Sequence, residues 1–416
     1  MSQTAAIRRP TLREAWADFG PLYATNAVIG MLFATTGPIA IILSVGTAGH
    51  LTPAELASWI FGIFFFNGIL TIAMSWAYRQ PLCFFWTIPG TVLVGPALQH
   101  LKFGEVIGAY YVTGLVILVL GASGWVKRAM QAVPMPIVMG MVAGVFLRFG
   151  LDLIRALDAD PAIAVPMVLA FLLLAAIPAL GRRLPPLIGA LLIGAACVAL
   201  LGRVGGAAFD GLRFIHPVLL PPIWSLPAVI ELVVPLAITV LVVQNGQGAA
   251  VLQNVGHQPP MTAVTVACGI GSLLAASVGA VSTCLTGPTG ALVTSSGEPR
   301  RHYTAAMFMG LLAILFSLVA PTFTRLMLAT PREFIMMLGG LAMLRVLQAA
   351  FLGAFRGKFT LGALVSLLVT VADITVGNIG AAFWGLLAGL LVAWLLERPD
   401  FAPDAAGDPP AHAAAG

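Results

Sequence analysis

The second half of this chain rereads the first. Around Pro89 the sequence runs Thr87-Ile88-Pro89-Gly90-Thr91-Val92-Leu93-Val94, and around Pro288 it runs Thr286-Gly287-Pro288-Thr289-Gly290-Ala291-Leu292-Val293. Thr, Pro, Leu and Val recur at an offset of 199. At an offset of 197, Arg128, Met130, Ala132, Pro134, Met139, Leu147 and Arg148 answer Arg325, Met327, Ala329, Pro331, Met336, Leu344 and Arg345. A fold built on this pattern contains two related halves, each with one apolar segment broken by Gly and Pro.

Those segments lie in a chain with 59% hydrophobic and 9% charged residues, whereas soluble domains carry roughly a quarter charged residues. Runs without a formal charge, such as Phe19 to Ala54, Leu232 to Gly297 and Ile374 to Leu396, exceed the roughly 20 residues a helix needs to cross the hydrocarbon layer. The chain therefore reads as a polytopic membrane protein in contact with the lipid bilayer. Its net charge of +5 comes from dispersed basic residues in short loops, so no nucleic-acid partner is expected. Arg8, Arg9 and Arg13 precede the first apolar run without a cleavage pattern, so the first helix is expected to be retained. Cys83, Cys197, Cys268 and Cys284 lack metal-ligand spacing and read as small packed hydrophobes.

The apolar pattern predicts fourteen membrane segments: 19–46, 54–77, 82–99, 105–123, 132–153, 161–181 and 185–203, then 227–250, 261–279, 281–297, 302–321, 331–353, 359–374 and 377–396. Residues 1–18 read as a cytoplasmic segment and 399–416 as a disordered tail. With both termini cytoplasmic, 14 Lys and Arg fall inside and 7 outside, the direction of the positive-inside rule. Seven segments per half is an odd number, so the halves must be inverted relative to each other. Matched halves with interrupted segments are the pattern of a secondary transporter, and the interruptions point to its substrate site.

Proline has no amide hydrogen and pushes the preceding residue away from helical geometry. Segments three and ten are therefore expected to be extended before Pro89 and Pro288 and helical from them onward, with threonine near each helix start. Inversion would aim the two half-helix N-termini at one midplane site and favour an anionic group there. This makes Thr87, Pro89, Gly90, Thr91, Thr286, Gly287, Thr289 and Gly290 candidate binding residues. Gln244, Asn245 and Gln247 place three amides in one turn of segment eight, an expensive arrangement in lipid unless the amides meet partners or a cavity. Gln244 and Gln247 share a face, and Asn245 points elsewhere. The counterpart in segment one, Thr35-Thr36-Gly37-Pro38, adds Thr36. Phe33, Phe84 and Phe85 abut these polar segments as an aromatic wall. Asp152, Glu231 and Asp373 lie near predicted helix ends and are the proton-coupling candidates. His50, His100, His257 and His302 read as loop or helix-end residues.

Thr35-Thr36-Gly37-Pro38-Ile39-Ala40, Trp86-Thr87-Ile88-Pro89-Gly90-Thr91, Phe146-Leu147-Arg148-Phe149-Gly150 and Gln244-Asn245 together resemble the benzoate transporter (BenE) family over about residues 15 to 398. That family is similar in architecture to the nucleobase/ascorbate and sulfate transporters. The resemblance implies an all-α membrane fold of fourteen segments in a 7+7 inverted repeat, with short strands ahead of the half-helices of segments three and ten. It implies a core domain (19–124 and 226–322) moving against a gate domain (125–225 and 323–398) in an elevator-like cycle. It also implies proton-coupled uptake of benzoate or a related aromatic acid across the bacterial inner membrane, and a homodimer through the gate domains. The related nucleobase transporters carry glutamates on segments eight and ten; here segment eight has Gln244, Asn245 and Gln247, and segment ten has nothing acidic before Glu298. That departure suits a carboxylate ligand, which a buried glutamate would repel.

Two other readings keep the membrane fold: a carrier of a neutral nucleobase-like heterocycle, and a facilitator or channel without coupling. No nucleophile–base pair, metal cluster or nucleotide motif stands out, so neither an enzyme nor a cofactor is expected.

Overall fold

The computed structural model describes residues 9–125, 134–181, 184–203, 205, 211–376 and 378–401. The loop cations Lys127, Arg128, Arg182 and Arg183 and the tail from residue 402 lie outside them. In chain order the main elements begin with α1 (Leu12–Asp18), α2 (Pro21–Thr35), α3 (Gly37–Ala48), α4 (Pro53–Tyr78), β1 (Phe84–Trp86), α5 (Ile88–Ala97) and α6 (Phe103–Ser123). Next come α7 (Met135–Ala159), α8 (Pro161–Ala176), α9 (Pro186–Leu200) and α10 (Leu226–Ile238), which runs through a π-helical stretch (Thr239–Gln244) into α11 (Asn245–Asn254). The chain ends with α12 (Met261–Ala276), β2 (Thr283–Leu285), α13 (Gly287–Val293), α14 (His302–Leu318), α15 (Ala320–Leu328), α16 (Arg332–Phe355), α17 (Thr360–Ala372) and α18 (Ala381–Leu396).

Among the described residues, seven helical stretches are long and apolar enough to cross a membrane, and six further apolar helices are shorter. The chain is a mostly helical, multi-pass membrane protein. Local sequence explains where helices begin: Thr11 with Glu14 and Thr52 with Glu55 form capping boxes, each satisfying two amide donors that a helix N-terminus leaves open.

Close crossings rest on small residues, as expected where helices pack without a hydrophobic driving force between them. Gly68 of α4 faces Gly310 of α14, and a Cβ on either would sit 2.7 Å from the other's carbonyl oxygen. Gly362 of α17 and Gly389 of α18 meet in the same way. The helices before Ser123 pack with α10 to α14, while α7, α8, α9, α16, α17 and α18 pack with one another. The stretch 211–223 is strapped to the first group: Val218 bonds Ser58, Leu220 bonds Ser277, Ile223 bonds Gly104 and Ile215 bonds Leu318.

At one end a polar cluster ties α1 to α4 and α14. Asp18 accepts from Arg79 at 2.9 Å and from Tyr303 at 2.8 Å. Burial alone would raise the Asp18 carboxyl, but the hydrogen bonds from Tyr303 and Arg79 outweigh it and hold it below its ordinary value.

Two cations counted with the loops in the sequence lie near the middle of long apolar helices. Arg148 and Arg345 each sit near the middle of α7 and α16, which leaves loop totals of 13 and 6 (14 − 1 and 7 − 1) and keeps the direction of the asymmetry.

Candidate functional site

The strands ahead of Pro89 and Pro288 are present and pair antiparallel: Phe84 opposite Leu285, Phe85 opposite Cys284, Trp86 opposite Thr283. The central pair, Phe85 and Cys284, joins positions 199 apart, the offset of the sequence repeat. A two-stranded ribbon buried in a membrane protein still has two open edges, and each unpaired amide there is costly. Side chains of adjacent helices close them. On β1, Phe84 donates its amide to Thr71 Oγ1 at 2.8 Å, and the Thr71 hydroxyl donates back to the Phe84 carbonyl at 3.2 Å. On β2, Thr283 donates to Ser272 Oγ at 3.0 Å and Leu285 to Asn245 Oδ1 at 2.8 Å.

The half-helices begin one residue earlier than the prolines suggest: Ile88 and Gly287 are the first helical residues, and Thr87 and Thr286 are the N-caps. Proline occupies the second position, where its missing amide hydrogen costs nothing. The two starts differ. Thr87 Oγ1 accepts from the Gly90 amide at 3.1 Å and donates to Thr239 Oγ1 at 3.1 Å, and Thr91 bonds the Thr87 carbonyl at 3.0 Å. Both hydroxyls have their protons engaged and are buried. Thr286 makes no side-chain cap; its hydroxyl reaches the Cys83 carbonyl at 3.3 Å and forms a short hydrogen bond with Thr289.

A small pocket lies between the strands and α2, α3 and α13. Its lining includes Phe33, Phe85, Trp86, Gln244, Thr286 and Thr289. Gln244 ends the π-helical stretch, a distortion frequent at functional sites. It is 5% exposed, and its amide has no hydrogen-bond partner among the described residues. The indole Nε1 of Trp86, a residue the sequence reading did not single out as a binder, is buried without a partner among the described residues. A partnerless indole nitrogen is a feature of packing, so no local sequence signal marks it.

The other candidates are placed elsewhere. Pro89 faces α7, beside Met141 and Val145. Gly90 packs against Leu236. Asn245 is spent on β2 and on Cys268 Sγ at 3.6 Å. Gln247 covers Gly287 and lines a larger cavity, and Gly290 lies near Val251 and Leu252. Thr36 breaks α2 from α3, its hydroxyl bonded to the Phe33 carbonyl at 2.9 Å. Phe84 is fully buried, away from the pocket lining.

The larger cavity, about 960 Å³, shares Phe33 and Pro288 with the small pocket and is otherwise bounded mainly by α16, the π-helical stretch with α11, and α7, with Arg345 on its wall. It was not foreseen from the sequence, although a cation in the middle of an apolar helix is itself a functional signal.

Of the acidic candidates, Asp152 pairs with Arg155 at 2.9 Å and Asp373 pairs with Arg148, both partly exposed. Glu231 differs: it lies one turn inside α10, is 4% exposed, receives His100 Nε2 at 2.9 Å and accepts the Gly380 amide at the start of α18. Among the described residues no group of three or more His, Cys, Asp or Glu is arranged to hold a metal ion.

The chain is thus a multi-pass helical protein with a strand-paired broken-helix centre and an adjoining cavity. The fold matches SLC26A9 with a TM-score of 0.64 at 12% identity, covering 89% of this chain and 64% of that one. It matches the transmembrane domain of a cyanobacterial bicarbonate transporter, BicA, with a TM-score of 0.60 at 14% identity, covering 92% and 99%. These are likenesses of fold. The family model described as benzoate membrane transport protein matches residues 17–395, and the chain belongs to that family. It is 27% identical over 397 residues to the benzoate membrane transport protein of Acinetobacter baylyi, covering 94% of this chain and 98% of the relative. It is 29% identical over 366 residues to the inner membrane protein YdcO of Escherichia coli, covering 87% and 92%. The chain is a membrane transport protein and not an enzyme.

Proposed function

We propose that the chain carries benzoate or a closely related small aromatic carboxylate, with protons, across a bacterial inner membrane. One observation carries the reading: the small pocket has aromatic walls in Phe33, Phe85 and Trp86 and a polar end in Gln244, Thr286 and Thr289, and no carboxylate among the described residues lines it. The pocket is about 20 Å³ as it stands, so a flat ring would fit between these walls only after they part. The free Gln244 amide can donate to a carboxylate, Thr289 can do so by turning its hydroxyl from Thr286, and the lack of an acidic neighbour among the described residues leaves the anion unopposed.

The mechanism we infer is elevator-like alternating access in fourteen segments with inverted halves and both termini cytoplasmic. The antiparallel pairing of repeat-equivalent Phe85 and Cys284 supports the inversion, since an antiparallel pair is related by a local two-fold axis. The two packing groups support a core (19–124 and 226–322) and a gate (125–225 and 323–398), except that the stretch 211–223 is bonded to the core; we place dimerisation through the gate. Glu231 is the favoured proton carrier: it is buried, bonded to His100 of the core and linked to Gly380 of the gate, so core–gate motion would alter its surroundings.

The test is uptake of labelled benzoate into proteoliposomes, with and without an inward proton gradient, against a protein-free control because neutral benzoic acid crosses bilayers unaided. Gradient-driven uptake above that control is expected, with Gln244→Glu abolishing it and Glu231→Gln leaving benzoate exchange but losing the response to the gradient. Wild-type uptake by Gln244→Glu, or flux in wild type inhibited by uracil and not by benzoate, would overturn the assignment. Wild-type benzoate flux that ignores the gradient would make the protein a facilitator.

A further inference from the structure

We propose that Arg345 is the residue that captures the substrate's carboxylate in the large cavity, before the ring enters the Gln244 pocket. The inference rests on the aromatic-carboxylate reading above and adds a second anion subsite to it. Arg345 is the fourteenth residue of α16 (345 − 331), about 20 Å along its axis at 1.5 Å per residue. That is the middle of a helix long and apolar enough to span the bilayer, where a cation, here with an exposed side chain, is retained only for pairing or function. Among the described residues Arg345 is the one charged side chain lining the cavity, and its charge favours anions there. It donates to the neutral Gln348 Oε1 at 3.1 Å, and no carboxylate pairs with it among the described residues. The guanidinium therefore keeps donors for a ligand, in the planar fork that matches a carboxylate's two oxygens.

The repeat supplies an internal comparison. Arg148, its counterpart at the offset of 197, is the fourteenth residue of α7 (148 − 134). Arg148 does not line the cavity and is ion-paired with Asp373 at the end of α17. Two equivalent cations thus have different fates in one conformation: the one on the open cavity lacks a carboxylate, and the other holds one. A cation kept only to satisfy packing or to reach the headgroups has no need of this difference. The cavity and the Gln244 pocket share Phe33 and Pro288, so a carboxylate released by Arg345 meets the Gln244 amide and the Thr289 hydroxyl next.

The experiment measures equilibrium binding of labelled benzoate to the full-length protein in nanodiscs, and competition by benzamide, its neutral analogue of the same shape. Arg345→Gln should weaken benzoate by roughly tenfold or more and leave benzamide within about threefold, with Arg345→Lys in between. The salt dependence of benzoate affinity should flatten in the glutamine variant. Unchanged benzoate affinity in folded Arg345→Gln, or equal loss for acid and amide, would overturn the proposal. If the glutamine variant does not fold, the lysine variant decides: a point charge replacing the fork must weaken benzoate and spare benzamide. Wild-type protein that binds no aromatic acid would overturn the site reading and this inference together, whereas wild-type binding with an indifferent Arg345 overturns this inference alone.

Discussion

Replacing Thr71 with valine should be among the most damaging single-group changes in the protein, although it alters shape very little. Thr71 is fully buried on α4 and serves one residue of β1, taking the Phe84 amide at 2.8 Å and giving its hydroxyl to the Phe84 carbonyl at 3.2 Å. Valine fills the same volume, so no cavity forms, and the effect isolates the hydrogen bonds. The orphaned amide costs about 1–3 kcal/mol, and the weakened carbonyl adds about 1 more, giving roughly 2–4 kcal/mol. Thr113→Val is the control. It is equally buried, but its hydroxyl bonds the Ala109 carbonyl one turn back in its own helix at 2.8 Å. Loss of that bond leaves no backbone amide open, and about 0.5 kcal/mol or less is expected. Reversible unfolding in mixed micelles, read by tryptophan fluorescence, gives both numbers. Benzoate transport should fall further in Thr71→Val, because Phe85 and Trp86 hang from the same strand. Equal effects in the two variants would refute the claim that α4 side chains hold the ribbon edge.

Gly310→Ala should cost about 1–3 kcal/mol, since the new Cβ would lie 2.7 Å from the Gly68 carbonyl and force α4 and α14 apart; a melting temperature matching wild type would argue against that crossing. His257, in the loop after α11, is held neutral by burial and by the facing His302, its pKa pushed down to about 4 from 6.5. Between those values the unfolded chain binds a proton that the fold refuses. Stability is therefore unaffected above about pH 6.5 and falls by up to about 1.4 kcal/mol per pH unit toward pH 4. His257→Gln should flatten this acid limb in thermal melts, and identical slopes would refute the assignment.

The sequence by itself determined the membrane class, the broken segments and where their threonines and prolines fall. Those features rest on local physics: hydropathy, the missing amide of Pro89 and Pro288, and the periodicity that sets Asn245 apart from Gln244 and Gln247. Family membership was legible for the same reason, in motifs that are contiguous in the chain. Only the tertiary structure decided what each polar group does. Thr87 and Thr286 occupy equivalent positions, yet Thr87 is consumed by Gly90 and Thr239, and Thr286 lines the pocket. Asn245 closes a strand edge 40 residues away in the chain, while the neighbouring Gln244 keeps its amide free. Glu231 meets His100 from 131 residues away, and Arg345 faces a cavity while Arg148 meets Asp373. A hydrogen bond is decided by which donor and acceptor arrive within about 3 Å. In a chain whose two halves repeat, the same local sequence arrives in two different surroundings.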